Sequence, residues 1–316
     1  MHNFGIMLKS YLPDIDYTKR FLESFRKYAA EPIPLFVVVP DSEVAAFEEI
    51  VGESGQVLPE SLWAQHLVDY QIDGNSPGYV NQEIIKLAFA ELGLVANYLC
   101  ADSEAVFIRP FTSADFMASA TTPFTFVTED HELQVDPIYF NRYGKFREQS
   151  LIRLREYLGL PLTKYATCHN MAVFSGVALA SLRDFMTERE LTYSDLLKIS
   201  PYEFSWYNFW VEKSECIPRI YREPIFEMLH MQHHQLSYSL KGITLNDLAR
   251  GYVGVVVNSG YSREQGVIGF DADFVDVLAQ NFGYRKFLAA ITEKTLQRMP
   301  RVRKIFTTKN HAHESQ

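Results

Sequence analysis

The run Leu35-Phe36-Val37-Val38-Val39 constrains the fold more than any other stretch of this chain. An apolar, β-branched segment of this length suits a strand of a parallel sheet that is covered on both faces. Its surroundings fit. Phe4 to Leu8 reads as a first short strand, and Tyr17 to Tyr28 has helical spacing, with Phe21, Leu22 and Phe25 on one side. Pro40-Asp41-Ser42 follows the second strand, and Ser42 to Val51 reads as a second helix. This β-α-β-α opening is the pattern of an open, mostly parallel α/β sheet. Such sheets bind ligands at the carboxyl ends of their strands. Lys9-Ser10-Tyr11 and Pro40-Asp41-Ser42 are expected there.

The pattern continues with a short strand at Val57-Leu58, a loop over Asp73 to Gly78, and a helix from Val80 to Leu92 with Gly93 as its cap. Leu94 to Leu99 then leads into Cys100-Ala101-Asp102-Ser103-Glu104-Ala105-Val106-Phe107-Ile108-Arg109-Pro110. Asp102 and Glu104 are two apart, so in an extended turn both carboxylates point to one side. Two hard oxygen donors at the end of an apolar strand suit Mg²⁺ or Mn²⁺ carrying a diphosphate. A solvated turn is the competing reading; the apolar flanks favour the metal. Beyond Pro110, strands are expected at Phe124 to Val127, Gln134 to Ile138, Met171 to Phe174 and Val253 to Val257. Helices are expected at Phe146 to Leu158, Val177 to Arg189, Phe274 to Phe282 and Tyr284 to Gln297.

The 316 residues are 47% hydrophobic and 22% charged, ordinary values for a folded protein. A net charge of −9 argues against a general nucleic-acid binder. Three dispersed cysteines, Cys100, Cys168 and Cys216, give neither a zinc ribbon nor a disulfide framework, and reduced thiols in the cytoplasm are expected. The first nine residues read as a strand rather than a signal peptide, and no run of 18 apolar residues occurs.

With these blocks in hand, the chain resembles the GT-A glycosyltransferases of bacteria that build surface polysaccharides. The resemblance rests on Ser10-Tyr11…Asp14…Phe21-Leu22-Glu23-Ser24, on Phe36 to Pro40, and on Gly78 to Ala88 running into the acidic motif. It extends through Cys168-His169-Asn170-Met171 and Phe204-Ser205-Trp206-Tyr207, covering residues 3 to 260. It implies a Rossmann-like GT-A sheet, mixed but mostly parallel and flanked by helices. One catalytic unit would span 1–260, with a nucleotide and metal half over 1–115 and an acceptor half over 116–260. A helical extension with a basic tail would follow over 261–316. The implied partners are a nucleotide-sugar donor and a glycan or lipid-linked acceptor; the implied cofactor is Mn²⁺ or Mg²⁺. Two departures stand out: Glu104 replaces the family's usual second aspartate, and Trp206 stands where an acid often follows the serine.

The resemblance assigns Gln82 and Lys86, four apart on one helix face, to the nucleotide or its phosphates. It also implies a late histidine ligand beside Asp102 and Glu104, for which His230, His233 and His234 are candidates. Tyr11 is a candidate to stack on the base, Asp14 to accept from base or ribose, and Arg109 to contact phosphate or sugar. Their ordinary alternatives are core packing, a helix cap and a structural ion pair. His169 and Asn170 interrupt an apolar run and are sugar-binding candidates, against a histidine satisfied within the core. If the reaction inverts, a carboxylate must deprotonate the acceptor hydroxyl; Glu203 comes first, then Asp130 and Asp136. Trp206 and Tyr207 would stack on an acceptor sugar, or else pack in the core. The basic end, from Arg285 to Lys309, is a candidate for peripheral contact with an anionic inner leaflet. The alternative activities are a nucleotidyl or phosphosugar transferase, for which no glycine-rich phosphate loop is present, and a silent carbohydrate-binding module.

Overall fold

The structure, a computed structural model, describes residues 2–127, 136–162, 171–262 and 270. The expected helices after 270, the basic tail, Asp130, His169, Asn170 and Cys168 lie outside the described residues.

The chain opens with β1 (Gly5–Lys9), α1 (Ile15–Tyr28), β2 (Leu35–Val39), α2 (Val44–Val51), β3 (Gln56–Pro59), α3 (Pro77–Ala88) and β4 (Asn97–Asp102). Every residue of β1 and β2 is buried, as strands covered on both faces require. Ser76 caps α3 by accepting from the Tyr79 amide, and Pro77 stands at its first turn. The short 3₁₀ extension of α3 ends at Gly93, whose φ of +63° is the left-handed position the sequence reserves for glycine. After β5 (Ala105–Phe107) and β6 (Phe124–Phe126), a helical turn at Pro137–Tyr139 runs through a π-helical turn into α4 (Lys145–Leu158). β7 (Val173–Ser175), α5 (Gly176–Glu188), α6 (Tyr193–Ile199) and α7 (Glu203–Ser214) follow. The last described elements include β8 (Ile220–Arg222), β9 (Phe226–Leu229), α8 (Gln232–Leu240) and β10 (Gly254–Val257).

The main sheet has the order β3-β2-β1-β4-β7. The first four strands are parallel and β7 is an antiparallel edge. This is the expected mixed, mostly parallel sheet flanked by helices. One apolar layer packs Ile84, Ile85, Leu87, Trp206, Phe209 and neighbours against one side. The other packs Phe21, Phe25, Phe47 and the aromatics Phe107, Phe111 and Phe116 against the opposite side. A second sheet, β5-β10-β9, is continuous in chain with the first, because only Ser103 and Glu104 separate β4 from β5.

One expectation changes, and two segments gain a place in the fold. The segment ending at Ile138 is not a strand where it is described: the Asp136 side chain accepts from the Ile138 and Tyr139 amides, and Pro137 starts a helical turn. The strand expected at Val253 to Val257 forms as β10 and lies in the second sheet. The aromatic stretch after Tyr202 is a helix, α7, buried at every position from Glu203 to Val211.

Candidate functional site

Strand order places the site. From β1 the chain moves one way to β2 and β3, then returns to lay β4 on the other side of β1. The crevice between β1 and β4 is therefore the topological switch point, where open α/β sheets bind ligands. Lys9 and Asp102 are paired across it at the carboxyl ends of these strands. The turn Asp102-Ser103-Glu104 hangs over that crevice. Asp14, buried at the start of α1, accepts a long 3.4 Å hydrogen bond from Ser103 Oγ, so a third carboxylate borders the turn. Glu104 accepts from the Ser259 amide at 3.2 Å. Burial and then the charge of Asp102 raise the Glu104 carboxyl above its ordinary range. Paired oxygen donors that repel one another in a partly buried turn are the donor set a hard divalent cation relieves.

Behind the turn lies a cavity of about 160 Å³ lined by Tyr79, Gln82, Glu83, Lys86, Asp102, Arg147 and Tyr202 to Ser205. Lys86 is its hub. The buried ammonium donates to Glu203 at 2.8 Å and stands 3.0 Å from Asp102 Oδ1 and 3.8 Å from Glu83. It also lies 5.1 Å from the centre of the Phe204 ring. Burial alone would lower the Lys86 pKa, but Asp102, Glu203 and Glu83 together hold it well above the ordinary lysine value. The two glutamates diverge. Burial and the neighbouring Glu203 charge push Glu83 well up. Burial acts against Glu203 too, yet Lys86 and a hydrogen bond from Glu83 bring it below the ordinary range. Glu83 thus holds the proton and Glu203 the charge. Glu83 Oε2 is buried without a hydrogen-bond partner at this cavity.

A third group stands nearby. His233 Nε2 is 2.5 Å and His234 Nε2 is 2.8 Å from the same oxygen of Asp136. Burial opposes ionisation of Asp136, but hydrogen bonds from both rings and from the Tyr139 amide hold its carboxyl far below the usual range. Arg147, on the cavity wall, faces the Tyr202 ring and donates to Tyr139 Oη at 3.3 Å. Tyr139 packs in turn on His230, with ring centres 5.0 Å apart. Through β5-β10-β9, Ala105 is level with Val256 and Met228, so Glu104 and Leu229 end neighbouring levels of one sheet. Contacts from Arg147 through Tyr139 to His230 thus lead from the cavity wall to the segment that carries His233 and His234.

Several sequence candidates meet here and several do not. Asp102, Glu104, Asp14, Gln82, Lys86 and Glu203 surround the turn and cavity. Lys86 is engaged by carboxylates rather than left open to a phosphate. Tyr11 lies half-exposed just after β1. Arg109 pairs with Asp115 at 3.0 Å, a structural partner that the sequence alternative allowed. Trp206 is fully buried and donates to the Leu196 and Ser200 carbonyls, while Tyr207 Oη accepts from the Ser175 amide. Both belong to the core, so neither offers the exposed stacking face expected of it. Asp136, expected as a base, and His233 and His234, expected as metal ligands, stand within hydrogen-bond distance of one another. Sequence reasoning missed Glu83, Arg147, Tyr79 and Tyr202. Only Glu83 carried a signal: three residues before Lys86, it shares that lysine's helix face.

Residues 5–135 match a family described as a family of unknown function, DUF6492. No curated protein matches the chain. Among solved structures, the apo form of mouse xyloside xylosyltransferase 1 is similar at 11% identity and a TM-score of 0.45. That similarity covers 82% of this chain and 98% of the mouse protein.

Proposed function

We propose that this protein is a metal-dependent glycosyltransferase that moves a sugar from a nucleotide-sugar donor to a cell-surface polysaccharide or lipid-linked glycan. The observation that carries the reading is the position of the acidic turn at the β1/β4 switch point, with a polar cavity beside it. The sequence resemblance supplies the reaction class, and the chemistry of the site fits it. Asp102 and Glu104 would hold the cation, with Asp14 alongside. When bound, the cation offsets the charge of a departing nucleoside phosphate without proton transfer.

The chain's own residues have distinct tasks in this reading. Tyr11 and Asp14 border the nucleotide, where a base stacks and a ribose hydroxyl donates. Gln82, Glu83 and Arg147, with the rings of Tyr79 and Tyr202, present hydrogen bonds and flat apolar faces, the combination a sugar ring uses. Lys86 pairs with both Asp102 and Glu203 in a buried setting and holds the two side chains in place. Glu203 accepts the proton of the acceptor hydroxyl, and Glu83, which holds a proton beside it, tunes its charge.

The test is release of nucleoside phosphate from a panel of UDP-, GDP- and CMP-sugars, with Mn²⁺, Mg²⁺ or EDTA. One donor class is turned over, and Asp102→Asn or EDTA lowers the rate by about 10²-fold or more, the scale of losing a group that stabilises developing charge. Turnover of no donor, or turnover indifferent to both changes, contradicts the reading.

A further inference from the structure

We propose that Asp136, His233 and His234 form a transition-metal site of their own, separate from the acidic turn. The inference does not rest on the glycosyltransferase reading. Among the described residues, these are the three His, Cys, Asp or Glu side chains whose ligand atoms all lie within 4.8 Å of one another. The convergence is specific. Two imidazole nitrogens from adjacent residues at the start of α8 address a single carboxylate oxygen, although neighbours on a helix point about 100° apart. Their rings are 4.5 Å apart and close to perpendicular, so both nitrogens reach one point without stacking.

The surroundings are those of a supported ligand set. Asp136 uses its other oxygen, Oδ1, to cap the Pro137 turn, accepting from the Ile138 and Tyr139 amides at 2.9 and 3.3 Å. That fixes the carboxylate and leaves Oδ2 directed at the rings, as the outer contacts of a metal ligand do. All three side chains are partly exposed, which leaves an approach for the ion. Two imidazoles and one carboxylate favour borderline cations such as Zn²⁺, Co²⁺ or Mn²⁺ over Mg²⁺. Three ligands among the described residues leave a position for water or a further ligand. The site joins chain segments 97 residues apart. Asp102, by contrast, faces Lys86, and Glu104 faces the Ser259 amide. The two acidic centres are therefore supported by different partners.

The experiment uses the full chain stripped with chelator and titrated with Co²⁺, followed by its visible absorption and by calorimetry. The expected result is a bound Co²⁺ whose spectrum persists in Asp102→Asn and under excess Mg²⁺, but is lost in the double variant His233→Ala/His234→Ala. X-ray absorption of the zinc-loaded wild type needs no variant. It should give imidazole scattering with Zn–N distances of about 2.0–2.1 Å. An oxygen-only shell, a spectrum kept by the double histidine variant, or a spectrum abolished by Asp102→Asn overturns the proposal. The last of these would make the histidines ligands of the acidic turn. Because no nucleotide is present, failure here is distinct from failure of the proposed activity.

Discussion

Glu83 and Glu203 are the same side chain on two walls of one cavity, yet their protons are held in opposite ways. Glu83 gains most from neutrality, because burial and the charge of Glu203 both penalise its ionised form. A carboxyl raised in the folded state binds a proton that the unfolded chain, with an ordinary value of about 4.3, has already released. Stability contributed by that proton is fully present below the unfolded value and is lost as pH rises toward the folded one. Glu83→Gln keeps the shape and a donor toward Glu203 while removing the titration. Urea midpoints measured from pH 4 to 8 should therefore decline less in Glu83→Gln than in wild type over the part of the range above about pH 4.3. Parallel profiles for the two proteins would mean that Glu83 does not hold the proton.

At the scale of elements, the second sheet decides whether Glu104 stays beside Asp102. β10 lies between β5 and β9, and Gly254 is closely approached from both. A Cβ there would run into the Phe226 ring and lie 2.6 Å from the Val106 carbonyl oxygen, one neighbour on each side. Gly254→Ala should destabilise the protein by about 1–3 kcal/mol in urea unfolding, the usual cost of forcing atoms into a packed site. Gly78→Ala, where added atoms meet open space in α3, should leave the midpoint unchanged or slightly raised. Equal effects of the two substitutions would show that close packing at β10 is not what holds this sheet.

Much of the first half was legible because its signals are local. β2 announces itself by five consecutive apolar residues, α1 by its apolar stripe, and the end of the α3 segment by Gly93. The acidic turn was legible for the same reason, since both acids lie on one short segment. The second half was harder to read. α7 is buried at every position from Glu203 to Val211 and mixes Glu203, Ser205 and Asn208 among its aromatics, so it has no clean stripe to separate helix from strand, and Trp206 and Tyr207 resemble a binding platform until their polar atoms are seen bonded to backbone. Asp136 and the histidines are far apart in sequence, and nothing local links a helix cap to a histidine pair. The cavity charges combine both cases. Gln82 and Lys86 were placed on one face by spacing, but only the fold sets Glu203 against them.

For the whole molecule, the proposed function asks an acidic chain of net charge −9 to bind an anionic donor at a point lined by carboxylates. That is electrostatically unfavourable unless cations intervene, and Lys86 is already engaged by three carboxylates. On the proposed function, metal and nucleotide therefore bind together. Thermal unfolding against UDP, GDP and CMP, each with Mn²⁺ or EDTA, tests this most directly. A ligand at 100 times its Kd stabilises by about 2.7 kcal/mol, which at this chain length raises the midpoint by a few degrees. The expected result is such a rise with one nucleotide, abolished by EDTA and by Asp102→Asn. A midpoint that no nucleotide moves in the presence of Mn²⁺, or one that rises equally in EDTA, would contradict it.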